Sequence, residues 1–330
     1  MALRIKHKLR SGISALMLLG AGVLLSACGS SGSSSTDNSV AISIPFKAVA
    51  GSEPIRCGET ISGLGLVGTD VKVADFRMFV HDVKLITDQN IEIPVKLDAS
   101  QASQNAEVVL LDFRDTAEDI TICAENNTNN TVDNPGYNTR VIGRVTVDPA
   151  YTISHIQFNI GVPFALNHAN QANAVEPLRN PGSATGMHWN WQIGYKFTAF
   201  DMLPVGGVSR PSDEGWSSPK WNIHLGSTGC AVGVSDLNNG VSPEACSAPN
   251  LTTVTLALGE YNWEDAAIEL DYADLIDASN LSQDSANAPG CMSGSIDPEC
   301  EGVFEKFGLP WGDNTAVEQT VFSIVANTEV

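Results

Sequence analysis

For its size, this chain is short of positive charge. Its 330 residues carry 18 Lys and Arg against 38 Asp and Glu, a formal net charge of −20. Arg4, Lys6, Lys8 and Arg10 crowd the start with no acid among them, so beyond them 14 basic residues face 38 acidic ones, a net charge near −24. A surface so negative repels polyanions, which argues against nucleic acid and against an anionic membrane surface as partners.

Long apolar runs are also missing. The stretch 13–25 is too short for a comfortable membrane span. It follows the basic start and ends in Leu25, Ser26, Ala27 and Cys28. This order of parts is that of a lipoprotein signal, whose small residues suit the signal peptidase and whose Cys28 thiol receives the lipid. Residues 1–27 are then removed, and residues 28–39, rich in Ser and Gly, form a flexible tether. Gly29 in place of Asp after Cys28 points to the periplasmic face of the outer membrane. About 300 residues are left to bury a core.

Familiar catalytic signatures are absent as well. There is no Gly-x-Ser-x-Gly elbow, no His-Glu-x-x-His and no phosphate loop. Ser227 lies between Gly226 and Gly229 without the flanking residues of an elbow. No Cys-x-x-Cys occurs, which argues against a zinc or redox motif of that type. Asp112, Asp115 and Asp119 lack the spacing of a twelve-residue calcium loop and read as solvated surface. Helical periodicity is confined to 266–278 and a short turn around Phe304.

What is present is cysteine and strand. Of seven Cys, Cys28 is assigned to lipid, leaving Cys57, Cys123, Cys230, Cys246, Cys291 and Cys300. An even number in an exported chain reads as disulfides, and six allow 15 pairings. Short loops favour Cys230–Cys246 and Cys291–Cys300, leaving Cys57–Cys123. Alternating or β-branched and aromatic runs predict strands at 40–49, 75–86, 91–97, 106–113, 139–147, 151–161, 188–200, 221–225 and 251–258. Pro94 demotes its strand to an edge or a bulge. Residues 51–68, 126–137 and 205–219 read as loops. The fold class expected is all-β, an antiparallel sandwich or barrel-like sandwich with long disulfide-pinned loops. One β domain spans 40–260, and 261–330 is an extension packed on it, too poor in apolar residues for its own core.

Three short segments gather the scarce aromatic and imidazole residues: His168 after Asn167, His188 with Trp189 and Trp191, and Trp221 with His224. His81 lies mid-strand, and His155 shares a strand face with Gln157 and Asn159. In an exported protein without free thiols, such histidines suit imidazole-ligated copper or zinc. The competing reading is a hydrogen-bonded structural histidine and a Trp pair that only fills a core. In a regular strand Trp189 and Trp191 face one side and His188 the other. A single site using all of them needs a bulge or a strand end.

The order of short motifs resembles a known family. These are Cys57-Gly58; Asp75, Phe76 and Arg77 with Asp82 and Val83; Leu110 to Phe113; and Gly161, Val162, Pro163 and Phe164 with Asn167 and His168. They continue with Trp189, Trp191, Gln192, Gly194, Tyr195, Lys196 and Phe197, then His224 to Cys230, then Pro289 to Gly294. This is similar to the MbnP family, described as methanobactin-associated and as the four-Cys half of a metallo-mystery pair. The resemblance implies a β-rich periplasmic or outer-membrane-associated protein that binds or traffics copper. It also implies a dihaem partner of the cytochrome c peroxidase type (MbnH-like), which in some relatives oxidises a Trp to kynurenine. The kynurenine aryl amine then joins imidazoles around copper. Carried over by motif, the metal candidates are His168, His188 and His224, with His81 as an outlier, and the oxidisable residue is Trp189 or Trp191. His188 stands where the family more often has an aromatic and His81 where Ser is common. Phe79 holds the position two before His81 where some relatives have Trp. The expected function is copper binding without catalysis, and the alternative is a cell-envelope lipoprotein whose Trp face docks the haem partner and holds no metal.

Overall fold

The computed structural model describes residues 38–114, 123, 138–190, 193–231, 242–294 and 296–328. Cys28, Asp115, Asp119 and Trp191 lie outside the described residues, so the expectations placed on them have no structural counterpart.

The strand Thr69–Thr87 runs for 19 residues and organises the larger sheet. Such a length, against a usual 5–6 residues, is sustained by pairing along both edges. One edge takes Thr198–Pro204 and then Ile153–Ile160, and the other takes Thr60–Leu64, Val108–Asp112 and Glu92–Pro94. A register shift between His81 and Lys84, with Asp82 at φ 49°, marks a bulge. Bulges add local twist and bend the strand, which helps a long strand curl. Trp221–Leu225 extends this nine-stranded sheet beyond Thr198–Pro204.

A second, six-stranded sheet is centred on Val40–Ala50. The aromatic core lies between the sheets: Phe46 meets Phe158 edge-on at 5.4 Å, Phe158 meets Phe322 at 5.4 Å, and Phe76 meets Phe200 at 4.4 Å. The expected all-β sandwich is therefore found. Pairing is mostly antiparallel, but Val40–Ala50 runs parallel to Ala266–Asp271, and Trp221–Leu225 parallel to Gly290–Cys291. Residues after 260 thus supply strands to both sheets, including Phe322–Ala326.

Several local expectations are corrected. The periodic stretch 266–278 is a strand, Ala266–Asp271, followed by the single helical turn Tyr272–Leu275. Ile268 and Leu270 are buried between half-buried Glu269 and Asp271, but Ala, Glu and Leu favour helix and the strand runs straight into that helical turn, so the stretch imitates a helix. The helical turn expected around Phe304 is found, as the short helix Glu301–Lys306. The loop at 205–219 contains the hairpin Val208–Arg210 with Asp213–Ser218, and 51–68 contains Thr60–Leu64 paired to the long strand. Asp112 is not solvated surface: it is buried, and Arg114 donates to both its oxygens at 2.9 and 2.6 Å. The expected disulfides Cys57–Cys123, Cys230–Cys246 and Cys291–Cys300 are all formed.

Candidate metal centre

Strand alternation gives the larger sheet two different faces. Phe76, Phe200 and Ile223 are cross-strand partners on the face turned to the core. The next residues along form two rows on the opposite face: Asp75, Asp201 and Asn222, and then Arg77, Ala199 and His224. Neighbouring buried acids must be compensated. Asp75 takes a bidentate contact from Arg77, one arm at 2.7 Å, and Arg114 lies 3.9 Å away. Asp201 accepts a 2.7 Å hydrogen bond from His224 Nε2.

The described residues between 161 and 197 lie over this polar face. They leave and rejoin the sheet at one residue: Gly161 N–H donates to the Phe79 carbonyl and Phe79 N–H donates to the Phe197 carbonyl, both at 2.8 Å. Arg77 Nη1 donates to the Thr185 carbonyl at 2.8 Å, and the Phe79 and Tyr195 rings lie 5.7 Å apart.

The expected single strand over 188–200 is broken within this excursion. His188–Asn190 folds back on Gly194–Tyr195 with an irregular register, and a new strand begins at Thr198. The chain turns back because Gly194, at φ 99°, accepts a conformation that side chains rarely adopt. Asn167 also packs so closely that a Cβ at 194 would lie 2.5 Å from its Oδ1. The hairpin separates the neighbours His188 and Trp189. The Trp189 indole stands edge-on to the His224 ring at 6.4 Å, and a Cβ at Gly226 would lie 2.6 Å from that indole. His188 faces the Tyr195 ring at 6.0 Å, and its Nε2 meets the Asn180 amide. Burial lowers its pKa, opposed by a hydrogen bond to the Trp189 backbone.

His224 has the most developed surroundings. In the neutral ring the Asp201 bond fixes the proton on Nε2, so Nδ1 carries the lone pair. Lys196 Nζ lies 3.4 Å from Nε2. It cannot donate to a nitrogen that already carries the proton shared with Asp201, so its role is electrostatic. Burial lowers the Lys196 pKa, opposed by Asp201 and Asp75. Burial would raise the pKa of Asp201, but the His224 hydrogen bond and charge, with Lys196 and Lys220, outweigh it and hold the carboxyl at about 2. A histidine that gives one N–H to a carboxylate and offers its other nitrogen is the usual arrangement of a metal ligand with outer-shell support.

The other candidates stand apart from this pair. His168 is buried after the single turn Phe164–Asn167, with Nε2 3.2 Å from Asn167 Nδ2, 3.5 Å from Cys246 Sγ and 3.9 Å from Cys230 Sγ. Asn167 links His168 to the hairpin by accepting from Tyr195 N–H at 2.8 Å, and it reaches Ser227 Oγ at 3.4 Å. Ser227 gives its own proton to the Pro249 carbonyl at 2.9 Å. His81 is buried with Nδ1 3.0 Å from the Gly161 carbonyl, and burial lowers its pKa. Among the described residues, His168, Cys230 and Cys246 make the one group of three His, Cys or acidic donors within 4.8 Å of one another, and its two sulfurs are joined in a disulfide. The structure thus pairs Trp189 with His224, His168 with a disulfide, and His188 with Asn180 and Tyr195, and does not gather the imidazoles into one set of three.

Sequence reasoning missed Asp201 and Asn180, and named Asn167 and Lys196 only as motif residues without a role. Asp201 had a visible signal, an acid between Phe200 and Met202 in an apolar strand. Its partner across the sheet was not visible.

Fold and site together define a class: a disulfide-pinned β-sandwich in which a carboxylate-backed histidine and a tryptophan meet under a covering loop. A sequence profile of the MbnP family matches residues 39–293, and the chain belongs to that family. The solved structure of MbnP from Methylosinus trichosporium is similar, with a TM-score of 0.71 and 28% identity over 87% of this chain and 99% of that one. No curated protein sequence matches the chain.

Proposed function

We propose that this protein binds and traffics copper at the periplasmic face of the cell envelope, anchored by lipid on Cys28. In this reading a dihaem peroxidase-like partner of the MbnH type oxidises one of its tryptophans to kynurenine, and the protein has no catalysis of its own. The observation that carries the proposal is His224, backed by Asp201 through Nε2 and faced by Trp189 at 6.4 Å. Family membership and the export signal favour it, and with six cysteines held in disulfides the ligand offered beside Trp189 is an imidazole.

His224 Nδ1 is the first ligand proposed, and Trp189 is the tryptophan proposed for oxidation. His188, the other imidazole of the hairpin, is turned to Asn180 and Tyr195 and is not placed beside His224. Copper(I), when bound, brings a preference for such soft or neutral donors, imidazole and aryl amine among them. Asp201 and Lys196 balance each other's charge beside His224, and the Asp201 acceptor holds the ring in the tautomer that a ligand needs.

Conversion of the indole uses two equivalents of peroxide, delivering two oxygens and leaving two waters. Hydrolysis then removes the formyl carbon as formate, so the net change is one carbon exchanged for one oxygen. Peptide mass spectrometry of protein made together with the dihaem partner reads this change directly. The expected result is the shift on the peptide carrying Trp189, lost in Trp189→Phe. An unmodified Trp189 in protein that still retains copper removes the kynurenine part of the proposal. An unmodified protein without copper favours the haem-partner docking role instead.

A further inference from the structure

Cys230 and Cys246 are directly opposed residues of a small two-stranded ribbon, Thr228–Cys230 with Cys246–Ala248. Both are half-buried, whereas Cys57, Cys123, Cys291 and Cys300 are buried. His168 reaches this disulfide from the covering excursion, with Nε2 3.5 Å from one sulfur and 3.9 Å from the other. A tetrahedral ion with bonds of about 2.3 Å to sulfur and about 2.05 Å to nitrogen sets N···S edges of about 3.6 Å. The imidazole therefore stands at that distance from Cys246 and about 0.3 Å beyond it from Cys230.

We infer that Cys230, Cys246 and His168 form a redox-gated site, closed to metal as the disulfide and open, once reduced, to a tetrahedral d10 ion such as zinc(II) or copper(I). A dithiol reductant supplies two electrons and two protons to the S–S bond and becomes a disulfide itself, leaving two thiols. The ion then takes both sulfurs as thiolates, releasing two protons, and adds the His168 nitrogen. A solvent molecule completes the fourth position.

The ligands are held by contacts that do not depend on the S–S bond. The ribbon pairing keeps the two cysteines opposite each other. Its base is fixed by Ser227 Oγ donating to the Pro249 carbonyl at 2.9 Å and Asn250 Nδ2 donating to the Gly226 carbonyl at 2.8 Å. His168 is positioned by the Phe164 ring at 4.9 Å, and its carbonyl accepts from Ser242 Oγ at 3.1 Å. After reduction the sulfurs swing apart to the ~3.8 Å edge of the tetrahedron, and Nε2 gives up the Asn167 amide, 3.2 Å away, for the ion. This site shares no residue with the His224–Trp189 pair, and the two are read separately, copper retention for one and cobalt–thiolate absorption for the other.

The test is limited phosphine reduction of the mature chain, with alkylation mapping to verify that Cys230 and Cys246 are free, followed by titration with Co2+. The expected result is one equivalent bound with a thiolate-to-cobalt charge-transfer band that appears only after reduction. His168→Gln should weaken binding by about tenfold or more, since even outer-shell losses cost that much. Should that variant fail to fold, protection of Cys230 and Cys246 from alkylation by Co2+ in the unmutated chain is the second readout. A reduced protein with both thiols confirmed and no charge-transfer band, no cobalt protection, or undiminished binding in folded His168→Gln overturns the proposal.

Discussion

At the scale of single residues, His224 and Asp201 carry the account. Asp201→Asn keeps the shape but loses the charge and offers the amide in either orientation, so the Nε2–H tautomer is no longer imposed. Copper affinity measured by chelator competition should fall about 10–100-fold, the usual cost of losing an outer-shell partner. The same residue sets a pH dependence. Its folded pKa is held at about 2, and an unfolded Asp titrates near about 3.9, so between these values the unfolded chain binds more protons. The stabilisation is complete above about pH 4 and is lost as the pH falls toward about 2. Denaturant unfolding across that window should show a shallower acid loss in Asp201→Asn than in the parent. A parent and variant with parallel pH curves would remove the role given to Asp201. The sequence made His224 a candidate through its motif. It did not reveal Asp201, because that contact is a diagonal one between neighbouring strands, Ala199 being opposite His224.

At the scale of elements, the hairpin from His188 to Tyr195 decides what each side chain meets. Alternation alone placed His188 and Trp189 on opposite sides, and the hairpin keeps them there while bringing only Trp189 to His224. The turn-back was illegible because it depends on Asn167, far away in sequence, packed against Gly194. The strands 75–86 and 106–113 were legible because they are dense in apolar, aromatic and β-branched residues, and 151–161 because Ile156, Phe158 and Ile160 alternate with His155, Gln157 and Asn159. The strand 266–271 was not, since Ala, Glu and Leu are helix formers and the strand runs directly into the helical turn Tyr272–Leu275. One glycine tests the packing of this hairpin. In Gly226→Ala the new methyl would lie 2.6 Å from both the Trp189 ring and the Tyr195 carbonyl, and the latter is backbone that cannot swing aside. The expected outcome is displacement of the indole, seen as a red-shifted tryptophan emission, together with destabilisation of about 1–3 kcal/mol from overpacking. Unchanged emission and stability would contradict the packing described.

At the scale of the molecule, two sheets enclose one aromatic core, and the disulfides tie surface segments to it. Cys57–Cys123 closes the longest of the three loops, with a sequence separation of 66, and both its ends lie beside Val73 of the long strand. Chain-entropy reasoning gives such a closure about 4 kcal/mol. Cys57→Ala with Cys123→Ala should therefore lower unfolding stability by about that amount in denaturant titration, with the fold retained. A loss well under about 1 kcal/mol would show that this crosslink constrains the unfolded chain little. The six-cysteine count and short-loop preference made the pairing legible. The way residues after 260 enter both sheets was not, because parallel pairing leaves no local turn signal.

The central claim is that copper is held at His224 beside Trp189. The most direct measurement is copper retained per chain after dialysis against a competing chelator, compared between the parent and His224→Ala with folding verified by circular dichroism. Copper is expected on the parent, with most of it lost in the variant. Equal retention in the two proteins, or none in the parent after reconstitution, would contradict it.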